Sequence, residues 1–428
     1  MLYGLERTRE LLGQWDLAGV NGFGTAGYAA RTVMRISIGI VAWNEGVSVG
    51  MTIAALFRQE LLSQHHDGVE GVEVFVLANG CTDDTVAVAN RAVERALAAC
   101  PLPYVTARVC DLPGPDRPGA WNEFVHRISD RRSDYIVMMD GDIYFSSRNA
   151  IWQLVRSLEE DPYAHAAASM ATKDVALKRR QTVRDRISVL MTDMTRRVVD
   201  SLKRRVLTGG CYCGRAAYWR RIELPRGMRG DDAFLTRMAV TSLLTTPPDE
   251  RRIACPEDAT FVFEAYDSLW VLFKQHRRRM VGRYIESLIY EAVGAEMSRS
   301  GGDAGEVLHR WNREDPDWLV KIIRQRVAKA GWCIFPLQQV LYRWRQAAYQ
   351  PFPRSVLLFP LAVLGSVWDI AVALAATDLM KRNQTHRVWF DTRNKRLLNG
   401  QYRMGLEAER DSLQQECPGH AAARASAR

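Results

Sequence analysis

The sequence predicts an α/β fold, a mostly parallel sheet flanked by helices, with a helical extension at the carboxyl end. Three observations lead there. Short apolar, β-branched runs alternate with segments of helical period between residues 36 and 139. The runs show no polar alternation, as expected of strands buried on both faces, and polar residues appear abruptly where each run ends. Residues 36–42 form the first run, and residues 46–62 follow with Val49, Ile53, Leu56 and Leu61 at helical spacing. Residues 72–78 are the second strand. Thr82, followed by Asp83 and Asp84, supplies a capping residue and first-turn acids for a helix reaching about residue 99. Residues 104–109 are the third strand and 121–131 a helix. The fourth strand, Tyr135-Ile-Val-Met-Met-Asp-Gly-Asp142, ends in two carboxylates separated by one glycine. Residues 1–33 are then a lead-in segment, 34–265 the α/β domain, 266–400 the helical extension and 401–428 a disordered tail.

The 428 residues, 47% of them hydrophobic, suffice for a large core. A net charge of +9 favours anionic partners, and nucleic acid, anionic lipid and sugar nucleotides all qualify. None of the eight cysteines forms a Cys-x-x-Cys pair, and early charges replace a signal peptide's apolar core. A reducing, cytoplasmic compartment with free thiols is expected. Cys211 and Cys213 read as small buried side chains, since no second Cys or His pair lies at zinc-ligand spacing.

Open α/β sheets bind ligands outside the carboxyl ends of their strands. There the chain places Asn44 and Glu45 after the first strand and Asn79-Gly-Cys-Thr-Asp-Asp-Thr85 after the second. Arg117 and Asn122 follow the third strand, and Asp140 and Asp142 end the fourth. Each loop alone also reads as a turn or a cap. Their recurrence on four successive strand ends favours a site. The amides and carboxylates of Asn79 and Asp83 suit a base and ribose. Asp140 and Asp142 suit a hard divalent cation, Mg2+ or Mn2+, whose shell substrate phosphates would complete. A nucleotide diphosphate meets all of these demands.

Ser37-Ile-Gly-Ile-Val-Ala-Trp-Asn-Glu45, the turn from Asn79 to Thr85, Asp140-Gly-Asp142, Thr208-Gly-Gly-Cys-Tyr-Cys-Gly214 and Arg229-Gly-Asp-Asp232 together resemble the family 2 glycosyltransferases, whose fold is GT-A. The resemblance covers about residues 34–290, and Arg117 and Asn122 keep the spacing of that family's Lys and Asn, with Asp116-Arg117 in place of Gly-Lys. It implies an inverting, metal-dependent transfer of a sugar from a UDP- or GDP-sugar to an acceptor hydroxyl. Asp232 would be the catalytic base, with Asp231 either raising its pKa or orienting it. Asp142 and Asp140 would hold the metal. Asn44, Glu45, Asn79, Asp83, Arg117, Asn122 and Asp140 would surround the donor, and Gly209, Gly210 and Cys211 the acceptor. Lys274-Gln-His-Arg-Arg-Arg279 is similar to the Gln-x-x-Arg-Trp signature of membrane-linked members, with Arg279 where tryptophan stands. Gln275 and Arg278 would then contact the donor diphosphate or the acceptor. The same basic run also reads as a solvated or lipid-facing helix.

Residues 174–206 are basic and carry Val183, Ile187, Leu190, Met194, Val198 and Leu202 at helical spacing, so an amphipathic helix is expected, packed on the core or lying on an anionic leaflet. Residues 355–377 are the one stretch long enough to span a bilayer, but they include Pro360 and Asp369 and have cations at both ends. A monotopic or re-entrant element is expected, with Trp311, Trp318, Trp332, Trp344 and Trp368 as interface anchors and a buried helical core as the alternative. A lipid-linked sugar, glycolipid or envelope polysaccharide is the acceptor expected, at the cytoplasmic side of the cell membrane, with no nucleic-acid partner. Gly22-Phe-Gly-Thr-Ala-Gly27 has dinucleotide-site spacing but follows a poor strand. It leaves an NAD-dependent oxidoreductase built on Gly22, Gly24 and Gly27 as one alternative, and a nonenzymatic basic membrane- or nucleic-acid-binding protein as the other.

Overall fold

The computed structural model describes residues 33–174, 205–263, 269–336 and 354–382. The Gly22 to Gly27 segment, most of the 174–206 stretch, Trp344 and the tail lie outside them. β1 (Met34–Ala42), β2 (Val69–Asn79), β3 (Val105–Leu112) and β4 (Tyr135–Asp140) are parallel, with β1 between β2 and β4. Then come β5 (Tyr144–Phe145), β6 (Ala166–Ala168), β7 (Met170–Lys173), β8 (Cys211–Arg215), β9 (Ile253–Ala254) and β10 (Thr260–Phe263). The central sheet has the order β3-β2-β1-β4-β8-β6-β9, and β8 alone runs antiparallel to both of its neighbours. β5, β10 and β7 form a small second sheet. This is the expected α/β fold with a mostly parallel sheet.

The helices are α1 (Val49–Phe57), α2 (Glu60–Ser63), α3 (Thr85–Ala99), α4 (Arg117–Glu123), α5 (Ala150–Glu160), α6 (Ala216–Trp219), α7 (Asp231–Val240), α8 (Leu269–Ser300), α9 (Ala304–Glu314), α10 (Trp318–Lys329) and α11 (Arg354–Lys381). Successive strand residues point to opposite faces, and both faces are dry. Ile36, Ile38 and Ile40 pack with Val74, Val76, Val137 and Met139 against α1, α3 and α5. Phe75, Leu77, Ile136 and Met138 point the other way, to Trp121, Trp219, Phe234 and the helices of the extension. Burial on both sides is why these strands read as continuous apolar runs.

Three helix expectations shift for identifiable reasons. The helix expected over residues 46–62 breaks at Gln59, whose backbone is extended. The Gln59 amide donates to the Ser147 carbonyl at 2.8 Å and accepts from the Ile151 amide at 3.2 Å, and the Glu60 amide donates to the Arg148 carbonyl at 2.7 Å. Contact with the loop before α5 replaces the next helical turn. Thr82 does not cap α3, because its amide donates to Asn44 Oδ1 at 2.6 Å; Asp83 Oδ1 accepts from the Thr85 amide at 3.1 Å instead. α4 starts at Arg117, ahead of the expected residue 121, because Pro118 suits the first helical turn, and it continues as a π-helical turn over Phe124–Ile128.

His165 stacks on Tyr218 with ring centroids 4.1 Å apart. Burial, followed by Arg252, Arg215 and Arg221, pushes its pKa down to about 4 from 6.5. The unfolded chain therefore takes up this proton first, so the stability His165 contributes is complete above 6.5 and is lost as pH falls toward 4. Urea unfolding across that window should show the decline, and His165→Phe, which keeps a ring but cannot titrate, should remove its share of the slope.

In the extension, α8 packs against α9, α10 and α11. The segment Ala362–Lys381 is long and apolar enough to cross a membrane, with a mean hydropathy of 1.5, yet 44% of that window is buried. Asp369, 6% exposed, faces α8 at 3.8 Å from His276 Nδ1, which also accepts from Trp368 Nε1 at 3.0 Å. Of the expected interface anchors, Trp318 is buried and Trp311 packs on it with centroids 4.9 Å apart, so both serve the core. Trp332 is exposed, as is Trp270, which sequence reasoning passed over.

Candidate active site

Arg117 links the parts of the site. Its guanidinium, 10% exposed, donates from Nε to Asp231 Oδ2 at 2.9 Å, from Nη2 to the Gly209 carbonyl at 2.8 Å, and from Nη1 to Asp140 Oδ1. One side chain thereby joins the end of β4, the glycine turn before β8 and the start of α7. The Asp140 amide donates to the Gly210 carbonyl at 2.9 Å. A methyl group placed on Gly209 would stand 3.4 Å from Asp232 Oδ2. Asn79, buried at the end of β2, accepts from the Asp116 amide at 3.1 Å and so fixes the approach to Arg117.

The first two loops are tied together. Asn44, in the left-handed region with φ of 51°, holds Thr82 as described; Asp83 Oδ2 accepts from the Gly46 amide at 3.3 Å. Glu45 accepts from the Ser48 hydroxyl at 2.8 Å, ahead of α1. Asp142, exposed on the turn after β4, acts electrostatically on Asp140. Burial pushes the Asp140 carboxyl up to about 7, opposed by Arg117 and reinforced by Asp142 and Asp231. Burial also raises Asp232, with Asp231 adding to the effect and Arg117 and Arg278 opposing it. Asp231 thus acts on Asp232 by charge, while its own carboxylate is held by Arg117. Burial disfavours the charge on Arg117, but Asp140 and Asp231 more than offset it and raise its pKa well above normal.

α8 closes the site on one side. Its Gly282 lies so near the loop before α7 that a methyl group there would meet the Arg229 carbonyl at 3.1 Å. Gly230 caps α7 with φ of 89°, and a methyl group on it would meet Glu286 Oε1 at 2.5 Å. Gln275 and Arg278 lie half-buried on the preceding turns of α8.

Two expected site residues sit elsewhere in the chemistry. Asn122 donates to the Leu224 carbonyl at 2.9 Å and accepts from the Leu224 amide at 2.8 Å, so its amide staples α4 to a loop and does not face the donor. Cys211 is fully buried in β8 within the core, its thiol pushed up to about 12 by burial, and does not meet an acceptor. Sequence reasoning missed Asp116, Arg229 and Glu286. Glu286 was legible only as the third member of a four-residue spacing, Arg278, Gly282, Glu286, along one flank of α8.

Among the described residues no group of three or more His, Cys, Asp or Glu side chains could hold a metal ion. Two carboxylates at a strand end nevertheless fit a hard cation that takes its remaining ligands from phosphates and water. The model of the family described as glycosyltransferase like family 2 matches residues 34–282. The chain belongs to that family. As a family 2 glycosyltransferase it shares its fold with a mannosyltransferase from Pyrobaculum calidifontis solved with GDP-mannose and Mn2+, at 18% identity and a TM-score of 0.45 over 91% of this chain and 94% of that one. Glucosyl-3-phosphoglycerate synthase from Mycobacterium tuberculosis, solved with Mn2+ and UDP-glucose, is 17% identical with a TM-score of 0.39 over 59% of this chain and 79% of that one. A mycobacterial protein is 18% identical with a TM-score of 0.41 over 60% of this chain and 76% of that one. No curated protein matches this glycosyltransferase. The family match begins after Gly22, Gly24 and Gly27, so the oxidoreductase alternative gains nothing from it.

Proposed function

We propose that this glycosyltransferase moves a sugar from a nucleotide diphosphate to an acceptor hydroxyl in one inverting displacement. The observation that carries the reading is the Arg117 clamp, which draws Asp140 of the Asp-x-Asp turn and Asp231 of the acid pair to one guanidinium. Asp232, raised toward neutrality, is the base for the acceptor proton, and Asp231 tunes it. Asp142 and Asp140 would hold Mg2+ or Mn2+, which would neutralise charge on the leaving diphosphate. Asn79, Asp83, Asn44 and Glu45 shape the nucleotide side, and Gly209 and Gly210 keep the acceptor side close to Asp232. Thermal unfolding with a panel of UDP- and GDP-sugars tests the donor class. With ligand at 100 times its dissociation constant, about 2.7 kcal/mol of stabilisation is expected in the presence of Mn2+. Asp142→Asn should lose that response, and a wild type indifferent to every nucleotide sugar would refute the reading.

The acceptor is proposed to be lipid-linked, a glycolipid or an envelope polysaccharide, at the cytoplasmic face of the membrane. Val356, Phe359, Leu364, Val367, Ile370 and Leu374 leave an exposed apolar stripe along α11, and Leu269, Trp270 and Leu272 expose another on α8, next to the basic run from Lys274 to Arg279. Apolar area beside cations suits an anionic leaflet. Sedimentation with anionic vesicles should pull down the protein, salt should weaken binding, and Leu364→Glu with Val367→Glu should abolish it. Binding unchanged in that double variant would reject the attachment.

A further inference from the structure

Arg229 stands immediately before the Gly230 cap and is 8% exposed. Its Nε is enclosed without an acceptor, and no carboxylate among the described residues lies within ion-pair distance of it. Burial, joined by Arg278, disfavours its charge, and Asp116 and Asp231 only partly offset them. Arg278 reaches this loop because Gly282, one turn further along α8, lets the helix settle on the Arg229 carbonyl. Two guanidinium groups are thus brought toward each other beside the acid pair, at a point where each makes the other less favourable. Buried charge without a counter-charge is costly, so such an arrangement calls for an anion between the pair.

We propose that Arg229 and Arg278 form a phosphate-binding subsite next to Asp232, which takes a phosphoryl or diphosphoryl group of the substrate. The assignment rests on the nucleotide-sugar transfer proposed above. Arginine is suited to this because its planar fork donates two parallel bonds to phosphate oxygens. The group is either the diphosphate of the donor or a phosphate carried by the acceptor, since both would lie beside the base.

Calorimetric titration of the full chain with inorganic pyrophosphate, without nucleotide or metal, tests the subsite directly. Wild type should bind; Arg229→Gln should bind at least about tenfold more weakly with an unchanged circular dichroism spectrum, and Arg229→Lys should fall between them. Arg278→Gln, on a half-buried helix flank, should weaken binding too and carries the test if Arg229→Gln does not fold. A second arm titrates UDP and GDP against uridine and guanosine. Loss of affinity for the diphosphates alone in Arg229→Gln assigns the subsite to the donor. Unchanged diphosphate affinity, with Arg229-dependent pyrophosphate binding to nucleotide-saturated protein, assigns it to the acceptor. No pyrophosphate binding by wild type, or equal binding by folded Arg229→Gln and Arg278→Gln, overturns the proposal. Pyrophosphate binding in a protein that ignores all nucleotides would sustain the subsite and reject the donor reading.

Discussion

Arg117→Met should destabilise the protein by about 3–5 kcal/mol, the range for removing one partner of a buried ion pair. Asp140 and Asp231 would be left without their shared cation, and the Gly209 carbonyl without its donor. Arg117→Lys should recover only part of the loss, because a single ammonium cannot span three acceptors placed for a fork. The pH dependence has a definite sign. Asp140 is already raised to about 7, and without Arg117 it rises further, so the deficit should be small where the carboxyl is protonated and grow as pH increases through 7. Urea midpoints measured on both sides of neutrality give the answer; equal stability of wild type and Arg117→Met would remove Arg117 as the keystone of the site.

The second large effect is on rate. Asp232→Asn should slow sugar transfer by about 10²–10⁴-fold, the usual contribution of a positioned general base, with nucleotide binding nearly unchanged. Asparagine keeps the shape, and the Thr236 hydroxyl bond at 2.8 Å runs to the backbone carbonyl of residue 232, so the helix start should persist. Single-turnover assays separate the two quantities. Full transfer activity in the variant would reject Asp232 as base, whereas loss of nucleotide binding would mean that it serves the donor.

Much of the sheet was legible because β1, β2 and β4 are dry on both faces and announce themselves as apolar runs. The helix limits were less so. Nothing local in Gln59 reveals that its amide will bind a loop some ninety residues away, and Thr82 has a cap's chemistry but finds Asn44 first. The site followed the same division. Residues at strand ends, Asn79, Asp140 and Asp142, were placed by topology alone. Asn122 was misread because spacing within a motif says nothing of which carbonyl an amide will meet, and Cys211 because a strand flanking glycines can turn its thiol inward. Glu286 and Arg229 were invisible, since their relation to Asp232 exists only after α8 has crossed the loop before α7.

That the second face of the sheet is roofed by the extension has a practical bearing on any shortened form of the protein. Val281, Ile285, Ile289 and Val293 of α8 are all fully enclosed, and they lie in the same cluster as Trp219 and Phe234. Cutting the chain at residue 265 would give up about 1.5–3 kcal/mol for each such side chain and leave two large aromatic groups wet. The transferase core and its helical roof are one folding unit, so an excised catalytic fragment would aggregate and would not turn over substrate.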